Sequence, residues 1–300
     1  MVAIDLGSNT IRAVKLDCES LEKIKDFERA IKLAEGVHKS QLISEDAKKR
    51  LFKALEELLE EFGKDEFVGV ATAAMRSAKN SSSILQEVEK NYGIKFEIID
   101  AQSEAYYTYV AVAKRLEKLG LSRNGVFLDI GGASSEVSFG NSKSFVTKSF
   151  DIGIVSATER FGSRDGIVEG LKGEFAKVSE FLKDARYLGF RPSVFISTSG
   201  TPTTLAAMKK GLNSRNYDSK LINGVELEDR ELDGFLKTLL KMDYEKREKI
   251  AGVGRADLII AGVYIYKEFF KMLRFAKSVV IDDSLREGLA ILKCMDKPKL

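Results

Sequence analysis

The sequence is poor in the residues that build many catalytic and metal sites. Its 300 residues contain one histidine, two cysteines, three prolines and no tryptophan. A single histidine excludes a metal site built on several imidazoles. His38 also lies in a polar segment far from the glycine turns described below, so a serine–histidine pair is not expected to carry catalysis. Cys18 and Cys294 stand near opposite ends of the chain and match no metal spacing. They predict a reduced, intracellular protein.

Long hydrophobic runs and a strong net charge are also absent. The best candidate for a membrane span, residues 256–273, is interrupted by Lys267, Glu268 and Lys271, which indicates a helix of a soluble core. No signal peptide precedes the apolar strand that begins at Met1, so we expect a cytoplasmic protein without a membrane partner. A net charge of +3 does not indicate a DNA or RNA binder, but it leaves room for a local basic groove that binds an acidic ligand.

The length of the chain predicts about two domains, and its hydrophobic content of 44% is sufficient for two cores. Alternating apolar patterns predict a first series of strands and helices that ends near Gly120, and then a second series. The predicted strands are 1–6, 10–16, 23–33, 67–71, 95–99, 126–130, 135–139, 144–150, 193–197 and 277–281. Helices are predicted between them, including one that Ser44 caps, one that ends near residue 188 and a last one over 285–295. The boundary between the halves is predicted at 120–124.

Two turns in which a strand leads through an acid to glycine are the main candidate functional motifs. One follows Asp5 and includes Gly7, and the other spans residues 129–136. Backbone N–H groups in such turns bind phosphate oxygens, because they are fixed dipoles. Asp129 and Glu136 could hold a hard divalent cation. The alternative is two ordinary tight turns, but their repetition at the first strand of each half favours the phosphate interpretation.

Three further sites are ambiguous from the residues alone. Arg76 follows the strand 67–71 and is either a phosphate clamp or a solvated surface arginine. Glu104 opens a helix. It is either a general base or simply an acid that the helix dipole stabilises in the first turn. The hydroxyl-rich segment 199–204 is either an anion site or a simple helix cap.

Taken together, these segments resemble one known family. The resemblance lies, in this order, in residues 4–12, 71–80, 103–105, 129–136, 200–206, 255–262 and 285–289. The chain is similar over nearly its whole length to the exopolyphosphatase/guanosine-pentaphosphatase (Ppx/GppA) family, in a short two-domain form, within the actin/sugar-kinase/Hsp70 superfamily. The resemblance implies an α/β fold of two ribonuclease H-like (actin-like ATPase) domains with an interdomain cleft. The domains would be 1–121 plus 286–300, with the C-terminal helix packed back, and 122–285.

The resemblance also implies a function and a set of partners. The expected activity is hydrolysis of the terminal phosphoanhydride of polyphosphate, with Mg²⁺ or Mn²⁺ as cofactor and orthophosphate as product. The alternatives are removal of the 5′-terminal phosphate of guanosine pentaphosphate (pppGpp), a non-catalytic polyphosphate or alarmone sensor, and an ATP-binding member of the superfamily. A homodimer is a further expectation from the family.

The resemblance assigns roles to individual residues. Glu104 would activate the attacking water, and Asp129 and Glu136 would hold the metal with help from Asp5. The implied phosphate-binding residues are Ser8, Asn9, Arg12, Arg76, Gly131, Gly132, Ala133, Ser134, Ser135, Gly200 and Thr201. Two positions depart from the family pattern. Ala133 replaces a glycine and would be strained at positive φ, and Ser103 stands where the family has an acid.

Overall fold

A computed structural model describes residues 1–63, 65–141 and 143–296. The chain divides into two compact units. Unit 1 consists of Met1–Ala111 with Ser284–Leu300, and unit 2 of Val112–Asp283. The domain bounds taken from the sequence stay a prediction, because contacts define compact units rather than homologous domains.

Unit 1 is built on a five-stranded mixed sheet in the order β3-β2-β1-β4-β5. Its strands are β1 (Val2–Leu6), β2 (Thr10–Leu16), β3 (Lys23–Ala30), β4 (Phe67–Ala71) and β5 (Phe96–Ile98). β1 pairs antiparallel with β2 and parallel with β4, and β4 pairs parallel with β5. The third strand ends earlier than predicted, because Ile31 and Lys32 leave the sheet and donate their N–H groups to the Asn9 carbonyl.

Short connections and amphipathic helices complete the first part of the chain. The helices are α1 (Val37–Ser40), α2 (Glu45–Phe62), α3 (Ala73–Ser77), α4 (Ser81–Tyr92) and α5 (Ala101–Lys118). Ser44 caps α2 as predicted, since its side chain accepts a hydrogen bond from the Ala47 N–H. Leu51, Leu55 and Leu58 then repeat along one face of this helix and are fully buried.

Unit 2 is built on a six-stranded sheet in the order β10-β11-β9-β6-β7-β8. Its strands are β6 (Gly125–Ile130), β7 (Ser135–Gly140), β8 (Phe145–Phe150), β9 (Val194–Thr198), β10 (Val225–Glu228) and β11 (Lys277–Val280). Reading from β8 to β11, the sheet repeats the strand order of unit 1, with β10 added at the edge. β6, β9 and β11 are parallel to one another.

The helices of unit 2 surround a core rich in aromatic side chains. They are α6 (Ile154–Phe161), α7 (Arg164–Gly170), α8 (Lys172–Tyr187), α9 (Gly200–Lys209), α10 (Ser219–Ile222), α11 (Asp229–Lys241), α12 (Tyr244–Ala251) and α13 (Leu258–Leu273). The helical stretch predicted to end near 188 is three helices. Gly162, in a left-handed conformation, ends α6, and Leu171 separates α7 from α8. Among the described residues, no helix combines the length and apolar character needed to cross a membrane.

The last helix, α14 (Leu285–Asp296), belongs to unit 1. It buries Leu285, Leu289 and Ile291 in a cluster with side chains of β1 and β2. Because α14 returns to β2, Cys294 meets Cys18 just beyond that strand, and the two form a disulfide. The prediction of reduced cysteines was therefore wrong. Their separation of 276 residues hid a contact that only the path of the chain brings about.

Candidate active site

The predicted site residues of each unit lie at the carboxyl ends of its parallel strands. In unit 1, β1, β4 and β5 are parallel, so the turn after Leu6, helix α3 and the start of α5 share one edge of the sheet. In unit 2, β6 and β9 place the turn after Ile130 and the start of α9 at one edge in the same way. Open α/β sheets bind ligands at this edge, where parallel strands end.

The two glycine turns have the same hydrogen bond. In unit 1 the Gly7 N–H donates to the Thr10 carbonyl at 3.0 Å, and in unit 2 the Gly131 N–H donates to the Ser134 carbonyl at 2.9 Å. Each turn begins two residues after an acid, Asp5 or Asp129. The repetition seen in the sequence is therefore a repetition of backbone structure.

The turn of unit 2 directs N–H groups away from helix α6. The Gly131 and Gly132 carbonyls accept hydrogen bonds from the Ile154 and Val155 N–H groups at 3.0 and 2.8 Å. In a planar trans peptide the N–H group points opposite to the carbonyl, so the N–H groups of Gly132 and Ala133 point away from α6. Within the described ranges, neither of these N–H groups donates a hydrogen bond. They form a pair of fixed donors suited to an anion.

Ala133 does not carry the strain predicted for it. It is not among the described residues with positive φ, so the glycine that it replaces is not needed for backbone conformation here. Close packing instead requires glycine at Gly153, where a Cβ atom would lie 2.3 Å from the Gly132 carbonyl oxygen and from the Ala133 carbonyl carbon. The concern over Ala133 is thus corrected, and the constraint lies at a residue that the sequence did not single out.

Asp129 and Glu136 are direct partners across the β6–β7 pair. Residues opposite one another in a sheet project from the same face with Cβ atoms about 5 Å apart. Glu136 is 4% exposed. Its Oε1 accepts hydrogen bonds from the hydroxyls of Ser134 at 2.9 Å and Ser149 at 2.7 Å. Asp129 accepts a hydrogen bond from the Ser199 hydroxyl. Serine hydroxyls thus orient both acids, and they do so without neutralising them.

Ser199 adopts an unusual backbone conformation. Its φ is 76° and its ψ is −179°. This region is essentially reserved for glycine, and a side chain in it costs about 1–3 kcal/mol. The sequence drew attention to segment 199–204 but not to Ser199 itself. Backbone strain leaves no signal in the residue types.

In unit 1, Arg76 and Glu104 form an ion pair. Arg76 Nη1 lies 2.7 Å from Glu104 Oε2 and also donates to the Ile99 carbonyl at 2.9 Å. The two side chains are 23% and 16% exposed, so Arg76 is not a freely solvated arginine. Asp100 caps α5 by accepting a hydrogen bond from the Ser103 N–H at 2.7 Å. This contact lowers the pKa of Asp100.

Three other predicted phosphate-binding residues have hydroxyl or guanidinium groups with structural partners, whereas the hydroxyl of a fourth, Thr201, is buried with no hydrogen-bond partner among the described residues. Arg12 lies opposite Asp5 and 3.3 Å from Glu28. Ser134 donates to Glu136 as described, and the fully buried Ser135 donates to the Ile152 carbonyl at 2.5 Å. Thr201 is 1% exposed, and its hydroxyl packs against Gly262 of α13.

The remaining predicted residues lie within the turns. Ser8 and Asn9 are buried in the turn after β1. Their carbonyls accept hydrogen bonds from the segment that follows β3. The Asn9 Oδ1 atom is buried and has no hydrogen-bond donor among the described residues. Gly200 lies against the guanidinium of Arg255, which was not among the predicted site residues.

The donor set suits a cation held by few protein ligands. Among the described residues, no three histidine, cysteine, aspartate or glutamate side chains come together as a metal cluster. Mg²⁺ takes oxygen ligands, keeps several waters and is typically bound by one or two carboxylates together with substrate phosphates. The Asp129–Glu136 pair fits that requirement. Asp5 belongs to unit 1, and its participation stays a prediction.

The fold defines a class of protein. Two mixed sheets with the same core strand order and phosphate-type turns after their first strands are typical of the actin-like α/β fold. A solved structure of a Ppx/GppA family member from Aquifex aeolicus matches with a TM-score of 0.74, at 27% identity over 100% of this chain and 98% of that one. An exopolyphosphatase from Cytophaga hutchinsonii at 22% identity has the same fold, with a TM-score of 0.83 over 99% and 98% of the chains. The predicted fold class is confirmed, and the cleft stays a prediction.

The sequence model of the Ppx/GppA phosphatase family matches residues 12–297 of this chain. The chain belongs to this family, as the sequence motifs predicted. A bifunctional 3-dehydroquinate synthase/phosphatase of Fusobacterium nucleatum is 28% identical over 93% of this chain and 44% of its own length. A guanosine-5′-triphosphate,3′-diphosphate pyrophosphatase of Pseudoalteromonas translucida is 27% identical over 95% and 57%. The chain thus spans about half the length of these two relatives. Exopolyphosphatase 1 of Mycobacterium tuberculosis is 25% identical over 97% and 87%.

Proposed function

We propose that this chain hydrolyses the terminal phosphoanhydride of inorganic polyphosphate and releases orthophosphate. Family membership and the name of the mycobacterial relative support this activity. The observation that carries the proposal is the turn of unit 2, where the N–H donors of Gly132 and Ala133 lie in the turn that follows the strand of Asp129. An anion-binding turn and an acid pair in one place are what a phosphate–cation substrate requires.

Glu104 is the general base in this proposal. Its carboxylate accepts a proton from the attacking water, whose oxygen bonds to the terminal phosphorus while the bridging P–O bond breaks. The shortened polyphosphate leaves with the electron pair of that bond. Arg76 holds one oxygen of Glu104, which fixes the orientation of the carboxylate, and its guanidinium would bind phosphate as well.

Asp129 and Glu136 would hold Mg²⁺, or Mn²⁺ in its place, with Asp5 assisting. The bound cation would neutralise charge on the phosphate oxygens. The N–H groups of Gly132 and Ala133 bind phosphate oxygens without any change of protonation. Thr201 contributes through its backbone rather than its hydroxyl, because that hydroxyl is buried against α13.

A second candidate is release of the 5′-terminal phosphate of pppGpp. The name of the Pseudoalteromonas relative favours it. Both substrates end in the same phosphoanhydride, so the same residues would serve either reaction.

The test is release of orthophosphate from tripolyphosphate, long-chain polyphosphate and pppGpp, each with Mg²⁺ and with EDTA. We expect Mg²⁺-dependent release from polyphosphate and a large loss of rate in Asp129→Asn. Faster release from pppGpp than from either polyphosphate would select the second candidate. Binding of all three substrates without phosphate release would refute hydrolysis and indicate a sensor.

A further inference from the structure

Ser199 combines a glycine-like backbone with a functional side-chain contact. Its φ of 76° and ψ of −179° lie where a Cβ atom is strained. Four other described residues that are not glycine also have positive φ, at 48° to 60°. Two of them, Gln41 and Arg274, are ordinary left-handed helix ends. Ser199 lies instead between the last residue of β9 and the first residue of α9.

The structure around Ser199 holds this conformation from both sides. The preceding residue, Thr198, is paired with Asp129 in the parallel β6–β9 ladder. The Ser199 carbonyl accepts hydrogen bonds from the Thr203 N–H at 3.2 Å and from the Thr203 hydroxyl at 2.9 Å. Strand and helix therefore fix the backbone, and the hydroxyl has a defined position.

That position is next to Asp129. The Ser199 hydroxyl donates a hydrogen bond to Asp129 Oδ1. Across the strand pair, Glu136 accepts hydrogen bonds from the Ser134 and Ser149 hydroxyls on a single oxygen, Oε1. A hydroxyl donor restricts the rotation of a carboxylate but leaves its negative charge in place. This is the requirement for a ligand that must present a fixed oxygen to a cation.

We propose that Ser199 is a positioning residue that fixes the Asp129 carboxylate for a divalent cation. The proposal rests on the assignment of Asp129 as a metal ligand in the proposed function. Glycine would suit the backbone better, but it has no hydroxyl. The strained side chain is therefore retained for its contact with Asp129, and it costs stability.

The test separates backbone strain from the hydroxyl contact. Ser199→Gly removes both, and Ser199→Ala removes only the contact. We expect both variants to bind Mn²⁺ roughly tenfold or more weakly, measured on the substrate-free protein by electron paramagnetic resonance, as for other residues that orient metal ligands. Ser199→Gly should also melt at a higher temperature than wild type, whereas Ser199→Ala should not. If the role of Ser199 were purely structural, Ser199→Gly would not combine a lower affinity for Mn²⁺ with a higher melting temperature.

Arg274→Gly is the matched control. Arg274 has φ 60° at the exposed end of α13, so its replacement also relieves a left-handed residue in the same unit. We expect higher stability with unchanged Mn²⁺ affinity. If Ser199→Gly binds Mn²⁺ as tightly as wild type while Asp129→Asn does not, the role of Ser199 is refuted and the proposed function stands. If Asp129→Asn also binds Mn²⁺ normally, both are refuted.

Discussion

Gly153 is the residue on which the anion-binding turn of unit 2 depends most directly. A Cβ atom at this position would lie 2.3 Å from both the Gly132 oxygen and the Ala133 carbonyl carbon. These are backbone atoms, which cannot move aside as the end of a flexible side chain can. Gly153 therefore sets the distance between the start of α6 and the turn that presents the Gly132 and Ala133 N–H groups.

Gly153→Ala should therefore destabilise unit 2 and displace the turn. Overpacking of this kind costs about 1–3 kcal/mol, measured by urea denaturation. Gly173→Ala is the control, since no atom lies within 4 Å of the Cβ that it would add in α8. That variant should gain about 0.5–1 kcal/mol, because alanine favours the helix. Equal stability of the two variants would contradict the close contact.

Residue types suggested candidate site residues but not the contacts that those residues make. Arg76 and Glu104 were both predicted as site residues, but their ion pair was not predicted, because it depends on β4 and β5 lying side by side. Ser135 was predicted to bind phosphate, yet its hydroxyl is bound to the Ile152 carbonyl. A hydroxyl beside a glycine turn suggests an anion ligand, and the sequence does not show which way it points.

At the scale of elements, α14 is held to unit 1 by apolar packing and by one covalent bond. Its buried face contacts β1 and β2, and the Cys18–Cys294 disulfide joins it to the turn after β2. The buried pair Arg286 and Glu287 lies at the start of the helix, with Lys23 3.8 Å from Glu287. Burial raises the pKa of Glu287, but the neighbouring Arg286 and Lys23 charges outweigh it and leave that pKa lowered.

Reduction of the disulfide should lower stability without unfolding the chain. Because the bond spans 276 residues, its loss should cost about 2–5 kcal/mol, while the apolar face of α14 keeps the helix in place. Thermal melting of the wild type with and without dithiothreitol measures this difference. Cys294→Ser should melt like the reduced wild type and should not respond to dithiothreitol. An identical melting temperature for oxidised and reduced wild type would contradict the contribution of the bond.

Strong local patterns predicted individual elements well. β4 was predicted at its observed bounds, from the short run of β-favouring residues that begins at Phe67. β10 was missed, since the short sequence Val225–Glu228 becomes a strand only by pairing with β11, more than forty residues later. Elements defined by a distant partner carry little local signal.

At the scale of the whole molecule, the duplicated acid–glycine turn made the two-part organisation visible in the sequence. Both turns follow the first strand of a sheet, and the two sheets share a core strand order. The family resemblance, rather than the residue pattern, supplied the return of the last helix to the first domain. The interdomain cleft, the participation of Asp5 in a shared metal site and the domain bounds stay predictions.

In the proposed mechanism, Glu104 activates water for attack on phosphorus. The most direct measurement is the rate of phosphate release by Glu104→Gln, with Mg²⁺, from the substrate that the wild type cleaves fastest. The glutamine can still accept the Arg76 hydrogen bond, so the fold and melting temperature should be retained. Glu97→Gln, on the exposed side of β5, is the control and should keep the wild-type rate. We predict that Glu104→Gln loses roughly 10²–10⁴-fold in rate, as expected for removal of a general base. Phosphate release by Glu104→Gln at a near-normal rate would contradict the role of Glu104 as the general base.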